Sequence, residues 1–191
     1  PPINPGIGTP PRVGLIVKKN AANRWIDDNN GDWTNLVSGP QAALSGRPVG
    51  WDLYDHDLAI IDSGTLGVTY ATGQMNIGMA LGVNPASGSI TVVGTDAINE
   101  VRFEPVVNSK FVRVKLATVD AGNPANKSIV DLNQHLTYSA PTIPQADRNR
   151  SIGDPRGIVW NSSGVKGYVT GMGSNNVIVI NTLGARAGLT D

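Results

Sequence analysis

Residues 167–182, GYVTGMGSNNVIVINT, alternate Val, Ile and Thr about a Gly-Ser-Asn-Asn turn, and this strand-turn-strand pattern constrains the fold more than any other stretch. Alternation with a period of two buries one face of a strand and wets the other. A chain that repeats it has to stack sheets. Composition agrees: Glu occurs only at Glu100 and Glu104, while there are 23 Gly and 13 Pro, so the residues that fill exposed helix faces are scarce and turn formers are abundant. The expected class is all-β, in a chain of 191 residues that is long enough to bury a core.

Lys plus Arg (15) balances Asp plus Glu (15), which gives no electrostatic reason to expect nucleic acid or an anionic membrane as partner. The absence of cysteine excludes disulfides, CxxC redox chemistry, thiolate metal sites and covalent haem attachment within this segment. Apolar runs such as 177–180 fall far short of the roughly 20 residues that span a bilayer, so no membrane span is expected. The opening PPINPGIGTPPR reads as a linker or extended edge segment of a mature product or an excised piece.

Laying 80–103 on 156–179 at an offset of 76, without a gap, pairs Val83 with Val159, Ser87 with Ser163, Gly88 with Gly164, Val93 with Val169, Asn99 with Asn175 and Val101 with Val177. These identities fall on a shared order of strand, NPASG or NSSG turn, strand, polar turn and strand. Upstream, DLAIIDSGTLG from Asp57 matches NVIVINTLGA from Asn176 with one residue inserted after Asp62. The starts Asp57, Glu100 and Asn176 are 43 and 76 residues apart. The first spacing suits a four-stranded propeller blade of roughly 40–45 residues, and the second implies a blade with an insertion of roughly 30.

The expected organisation is a Pro/Gly-rich entry and partial blade over 1–62, a blade over 63–104, and a blade over 105–191 with a long insertion at 120–152. Strands are expected at 66–71, 79–83, 89–94 and 99–104, then at 111–117, 157–161, 166–170 and 176–181. In the partial blade, 12–18 and 55–62 flank a Trp-bearing excursion at 20–51. The fold expected is thus a partial β-propeller of four-stranded antiparallel blades with long inserted loops.

GDPRGIVWNSSGVKGYVTGMGSNNVIVINT resembles the bacterial YVTN-type β-propeller repeat. Its signature reads Tyr168-Val169-Thr170-Gly171, with Gly in place of Asn, and the earlier Val92-Val93-Gly94-Thr95 departs further. The resemblance implies extracytoplasmic bacterial propellers of seven or eight blades that serve as binding scaffolds, some joined to redox modules. About two and a half blades cannot close a ring, so the remaining blades are expected from the same protein or another chain.

DDNNGDW gathers Asp27, Asp28 and Asp32 about a glycine, yet the Glu that closes an EF-hand loop is missing, and an Asn-Gly turn between Trp-anchored strands is the simpler reading. His56 lies between Asp55 and Asp57, but alternation along a strand points it away from both. His135 lies in the long insertion with no spacing that pairs it with His56. Trp25, Trp33 and Trp51 share one excursion, as a partner surface or as the core of a loop that folds on itself. Asp96, Asn99, Asn175 and Asn176 are the repeat-related residues that a channel metal would use.

No catalytic motif and no cofactor is expected. The function expected is a non-catalytic, extracytoplasmic structural or protein-binding scaffold acting through 20–51 and 120–152. Two alternatives follow: the propeller part of an enzyme (a metal-dependent hydrolase or lactonase, or a redox protein with its haem elsewhere), and a subunit of an extracellular filament or surface layer.

Overall fold

The computed structural model describes residues 16–27, 30–48, 50, 52–97, 112–140 and 142–187. Its regular structure is mainly antiparallel β, in sheets of two to four strands. No described helix is long and apolar enough to cross a membrane. The described residues fall into two compact units, one within 16–56 and the other within 57–187.

In the first unit β1 (Val17–Lys19) pairs with β2 (Trp25–Asp27), and α1 (Thr34–Val37) and a 3-10 turn (Ala42–Ser45) follow. Trp25, Trp33 and Val37 form its core, with Val17, Leu36 and Leu53 packed against them. Residues 17–19 and 58–61 were expected in one partial blade. Instead β1 pairs inside the excursion, because the turn at 20–24 folds the chain straight back through Asn20, whose side-chain oxygen accepts from Ala22 N (3.0 Å) and Arg24 N (3.0 Å).

The second unit holds the β3–β4 hairpin (Leu58–Ile61, Val68–Ala71), a four-stranded meander of β5 (Ile77–Val83), β6 (Ile90–Ala97), β7 (Val112–Val119) and β8 (Lys127–Asp131), and a three-stranded meander of β9 (Pro155–Trp160), β10 (Gly167–Gly171) and β11 (Asn176–Ile180). A short helix, α2 (Gln145–Asn149), lies between β8 and β9. Three expectations change here. The strand foreseen at 111–117 as the start of a new blade is the third strand of the four-stranded sheet. The insertion at 120–152 supplies that sheet's fourth strand, so it is not a loop throughout. The strand foreseen at 66–71 pairs with β3 and not with β5. Residues 99–104 lie outside the described residues.

The four-stranded sheet is covered on both sides. Val92, Ala117 and Val119 pack with Leu58, Ala71 and Met75 beneath the β3–β4 hairpin. From its other side, Val93, Val114 and Leu116 meet Ile158, Val169, Ile178 and Ile180 of the three-stranded sheet. Burial on both faces is why β6 reads ITVVGTDA, nearly continuous in apolar and small residues, whereas β10 alternates buried and exposed positions.

The repeat is real, but its register is one residue from the expected one. Val83 pairs Ile90 as Trp160 pairs Gly167, Leu81 pairs Val92 as Ile158 pairs Val169, and Gly78 pairs Gly94 as Pro155 pairs Gly171, an offset of 77 throughout. Both hairpins carry a β-bulge at the same place, between Gly78 and Ala80 and between Pro155 and Gly157. An offset of 76 is what aligning Gly88 (φ 72°) on Gly164 (φ 70°) demands, and these two glycines occupy different positions in their turns. Gly88 N bonds Asn84 O (2.8 Å), four residues back, whereas Gly164 N bonds Asn161 O (2.9 Å), three residues back. A slip of one residue exchanges the faces of a strand. Val93 and Val169, matched as equivalents in the sequence, therefore face each other across one core.

A second repeat runs through the strand ends. Asp62, Asp120 and Asn181 each close a turn by donating their backbone N–H, to Gly67 O (2.9 Å), Asn126 O (3.0 Å) and Ala185 O (2.9 Å). Their side chains cap the same turns: Asp62 Oδ1 accepts from Thr65 N (2.7 Å), Asp120 Oδ1 from Gly122 N (2.9 Å) and Asn181 Oδ1 from Ala185 N (3.0 Å). The strand pairs that flank these turns are Ile61 with Val68, Val119 with Lys127, and Ile180 with Arg186. Thus β3–β4 corresponds to β7–β8, and β11 with Arg186 to the start of the same unit.

Candidate functional site

Trp25 and Trp33 of the first excursion are core. Trp25 and Trp33 are buried, and each indole N–H donates to a carboxylate, Trp25 to Asp52 Oδ1 (2.6 Å) and Trp33 to Asp27 Oδ2 (2.9 Å). Of the two readings given for them, Trp25 and Trp33 follow the second, the core of a loop that folds on itself. Trp51 and Asp28 lie outside the described residues. Asp27 Oδ1 accepts from Gly31 N (2.7 Å), and Asp27 N donates to Gly31 O (3.0 Å), so this buried carboxylate closes its own turn. Asp32 Oδ1 accepts from Thr34 N (3.0 Å) and Thr34 Oγ1 (2.7 Å) in the turn that precedes α1, and Asp32 pairs with Arg24. These carboxylates do not converge as a calcium loop would.

Asp52 gathers Lys19 Nζ (2.5 Å) beside the Trp25 indole. Burial works against its charged form, but the hydrogen bonds from Lys19 and Trp25, the Lys19 charge and the Leu53 N–H outweigh it and hold its pKa below the ordinary carboxylate value. The ring of His56 lies 6.2 Å from that of Tyr54.

In the second unit Ser151 Oγ lies 3.4 Å from His135 Nε2, which has the look of a nucleophile and its base. The geometry denies that role. Ser151 donates its proton to the Asp147 backbone carbonyl (2.9 Å), His135 Nε2 meets the same carbonyl (3.0 Å), and the Asp147 carboxylate is engaged by Arg150 (2.7 Å). A triad needs a carboxylate on Nδ1 to orient the ring, and buried His135 Nδ1 has no hydrogen-bond partner among the described residues. The segment is instead tied down: Asn133 bridges Ile152 in both directions (2.9 and 2.8 Å), and Arg186 donates to Leu132 O (3.1 Å) and Arg150 O (2.5 Å).

The residues foreseen for a channel metal are also dispersed. Asp96 is buried opposite Arg113 across β6 and β7, Asn176 bonds Ser151 O (2.9 Å) and Ser174 Oγ (2.6 Å), and Asn99 lies outside the described residues. Among the described residues no three His, Cys, Asp or Glu side chains stand close enough to hold a metal ion.

One polar groove of about 450 Å3 lies where the β5–β6 and β7–β8 turns adjoin, at one end of the four-stranded sheet. Ser87, Ser89, Thr118, Asp120, Asn126 and Lys127 line it, with both turns held by their Asx caps. It offers hydroxyls, an amide and one charge of each sign, and it contains no imidazole or thiol. Such a lining can hydrogen-bond a polar partner. The Asx pattern was readable as D-S-G, D-A-G and N-T-L-G after each apolar strand: the match of 57–62 with 176–181 pairs two of its members, Asp62 and Asn181, and Asp120 is the third. Comparison with known protein families, curated proteins and solved structures finds no match for this chain.

Proposed function

We propose that this chain is a non-catalytic segment of a bacterial, extracytoplasmic β-propeller-type protein, acting as a structural and protein-binding scaffold. One observation carries the reading: successive sheets built to one register, with the same bulge, stack with the same polarity. Each presents its Val92- or Val169-type face to the element before it. Such a stack has no internal reason to stop. Its last sheet leaves Val159 (63%) and Val177 (58%) exposed, and its first leaves Ile61 (61%) exposed. Further sheets, from a longer protein or another chain, would cover these ends, as radial closure does in propellers. The Tyr168-Val169-Thr170 resemblance carries the bacterial and extracytoplasmic part of the proposal.

Protein binding is assigned to the groove between the two Asx-capped turns, because loops on a rigid sheet end are where scaffolds carry recognition. The test is capture of proteins from a cell-envelope extract by the immobilised chain, set beside its Asp120→Ala and Lys127→Glu variants at matched melting temperature. The expected result is loss of specific partners from the variants. Identical capture by all three would sink the groove assignment, and a stoichiometric metal in the purified protein would move the reading to the enzyme alternative.

A further inference from the structure

Asp154–Pro155 is the one Asp-Pro bond in the sequence, and its backbone is held in an unfavourable form. Asp154 has φ 47°, in the left-handed region, and among the described non-glycine residues with positive φ it alone precedes a proline. A following proline drives a residue toward extended backbone, so two local preferences are overridden at one position. The packing around it imposes this. Gly173 N donates to Gly153 O (3.1 Å), Gly153 N donates to Ser174 Oγ (2.9 Å), and a Cβ on Gly173 would lie 3.1 Å from Asp154 Cβ, so the turn between β10 and β11 is clamped onto this residue. On the other side Pro155 is fixed as the buried first residue of β9, opposite Gly171. Strain of this kind persists where the fold over-determines it, and breaking the bond that follows relieves it. The groups needed to break that bond are also in place. Met172 N donates to the Asp154 carbonyl oxygen (3.0 Å), where negative charge develops if the carbonyl carbon is attacked. Arg156 Nε restrains the Asp154 carboxylate (2.8 Å), and that side chain is 27% exposed, within reach of water. The Pro155 nitrogen carries no hydrogen and donates to no neighbouring strand.

We propose that the Asp154–Pro155 bond is a self-cleavage site, broken in a single turnover by the Asp154 carboxylate. A carboxylate oxygen adds to the backbone carbonyl carbon of the same residue. The bond from that carbon to the Pro155 nitrogen breaks, its electron pair stays with the nitrogen, which takes a proton from solvent, and a cyclic anhydride is left on Asp154. Water then opens the anhydride to two carboxyl groups. The net change is one water added across the peptide bond, with nothing oxidised or reduced. This goes beyond the scaffold reading and does not depend on it, since the step is internal to the chain. The products stay together, because Ile158, Val169, Ile178 and Ile180 remain packed on Val93, Val114 and Leu116, and Arg186 remains bonded to Leu132 O (3.1 Å). Cleavage is therefore visible only under denaturing conditions.

The test incubates the folded chain in mildly acidic buffer and follows it by denaturing mass spectrometry, beside the same chain unfolded in urea and a folded Asp154→Asn chain. Asn tolerates left-handed backbone as Asp does but brings no carboxylate. Two products are expected, one ending at Asp154 and one beginning at Pro155, formed at least about tenfold faster in the folded chain than in urea and absent from Asp154→Asn. The comparison with urea decides without any substitution. A folded chain that stays intact overturns the inference, leaving Asp154 as a strained turn and nothing more. Equal rates in urea overturn it too, since the cleavage is then the acid lability of any Asp-Pro sequence. Cleavage of Asp154→Asn at the same bond overturns it by assigning the cut to a contaminating protease.

Discussion

Gln74 is 3% exposed, and neither its side-chain oxygen nor its nitrogen has a hydrogen-bond partner among the described residues, although its backbone N–H donates to Asp57 Oδ2 (2.8 Å). A buried amide left unsatisfied costs about 1–3 kcal/mol, so Gln74→Met, which keeps the shape and the backbone bond, should raise stability by about 1 kcal/mol in urea unfolding. A lower unfolding midpoint would show that the amide has a partner. Tyr138 is the opposite case, a polar group fully used. Its hydroxyl donates to Asp131 Oδ2 (3.0 Å), and the Arg113 guanidinium lies 3.5 Å from the ring centroid. Burial, then the Asp131 charge and this hydrogen bond, push the phenol's pKa well above its ordinary value. A group whose pKa is raised in the folded state contributes stability that is complete below its unfolded pKa, about 10, and is lost as the pH rises beyond it. Melting temperature should thus fall with pH above about 10. Tyr138→Phe should flatten that fall, at a cost of about 1 kcal/mol at neutral pH. A slope unchanged by the substitution would assign the alkaline loss to another group.

At the scale of elements, close approach of the two sheets decides which residues are tolerated. Gly82 lies against the backbone of Ile158, so Gly82→Val should separate β5 from β9 and destabilise by about 1–3 kcal/mol or more. Leu81→Val, on the exposed side of the same strand, should stay within about 0.5 kcal/mol. Equal effects in urea unfolding would contradict the face assignment. The strands themselves were legible: LAII, VRVKLATV, GYVTG and NVIVI all show β-branched runs bounded by turn residues. Which strand pairs with which was not. The β7 strand follows β6 in its sheet only after residues 98–111, and Lys127–Asp131 hides in a stretch rich in Asn and Asp because β8 is an edge strand with exposed positions. Gly88 and Gly164 misled because left-handed backbone can be required at different steps of a turn, whereas the Asx caps mark a fixed one.

For the molecule as a whole, the candidate chemistry turns inward. Asp27, Asp52 and the Trp25 and Trp33 indoles satisfy one another within a small loop core, and His135 is committed to the backbone of 147–151. Among the described residues the polar groove and the side chains of Ile61, Val159 and Val177 face outward. The amino-acid sequence by itself determined the all-β class, the positions of most strands and the existence of a repeat, because alternation and turn residues act over a few neighbours along the chain. It could not decide the register of that repeat, the pairing of β6 with β7, or the burial of the tryptophans. Those depend on which sheet faces meet, and a one-residue shift, invisible in local propensity, exchanges the buried face for the exposed one. Only packing Val93 against Val169 across a shared core settled it.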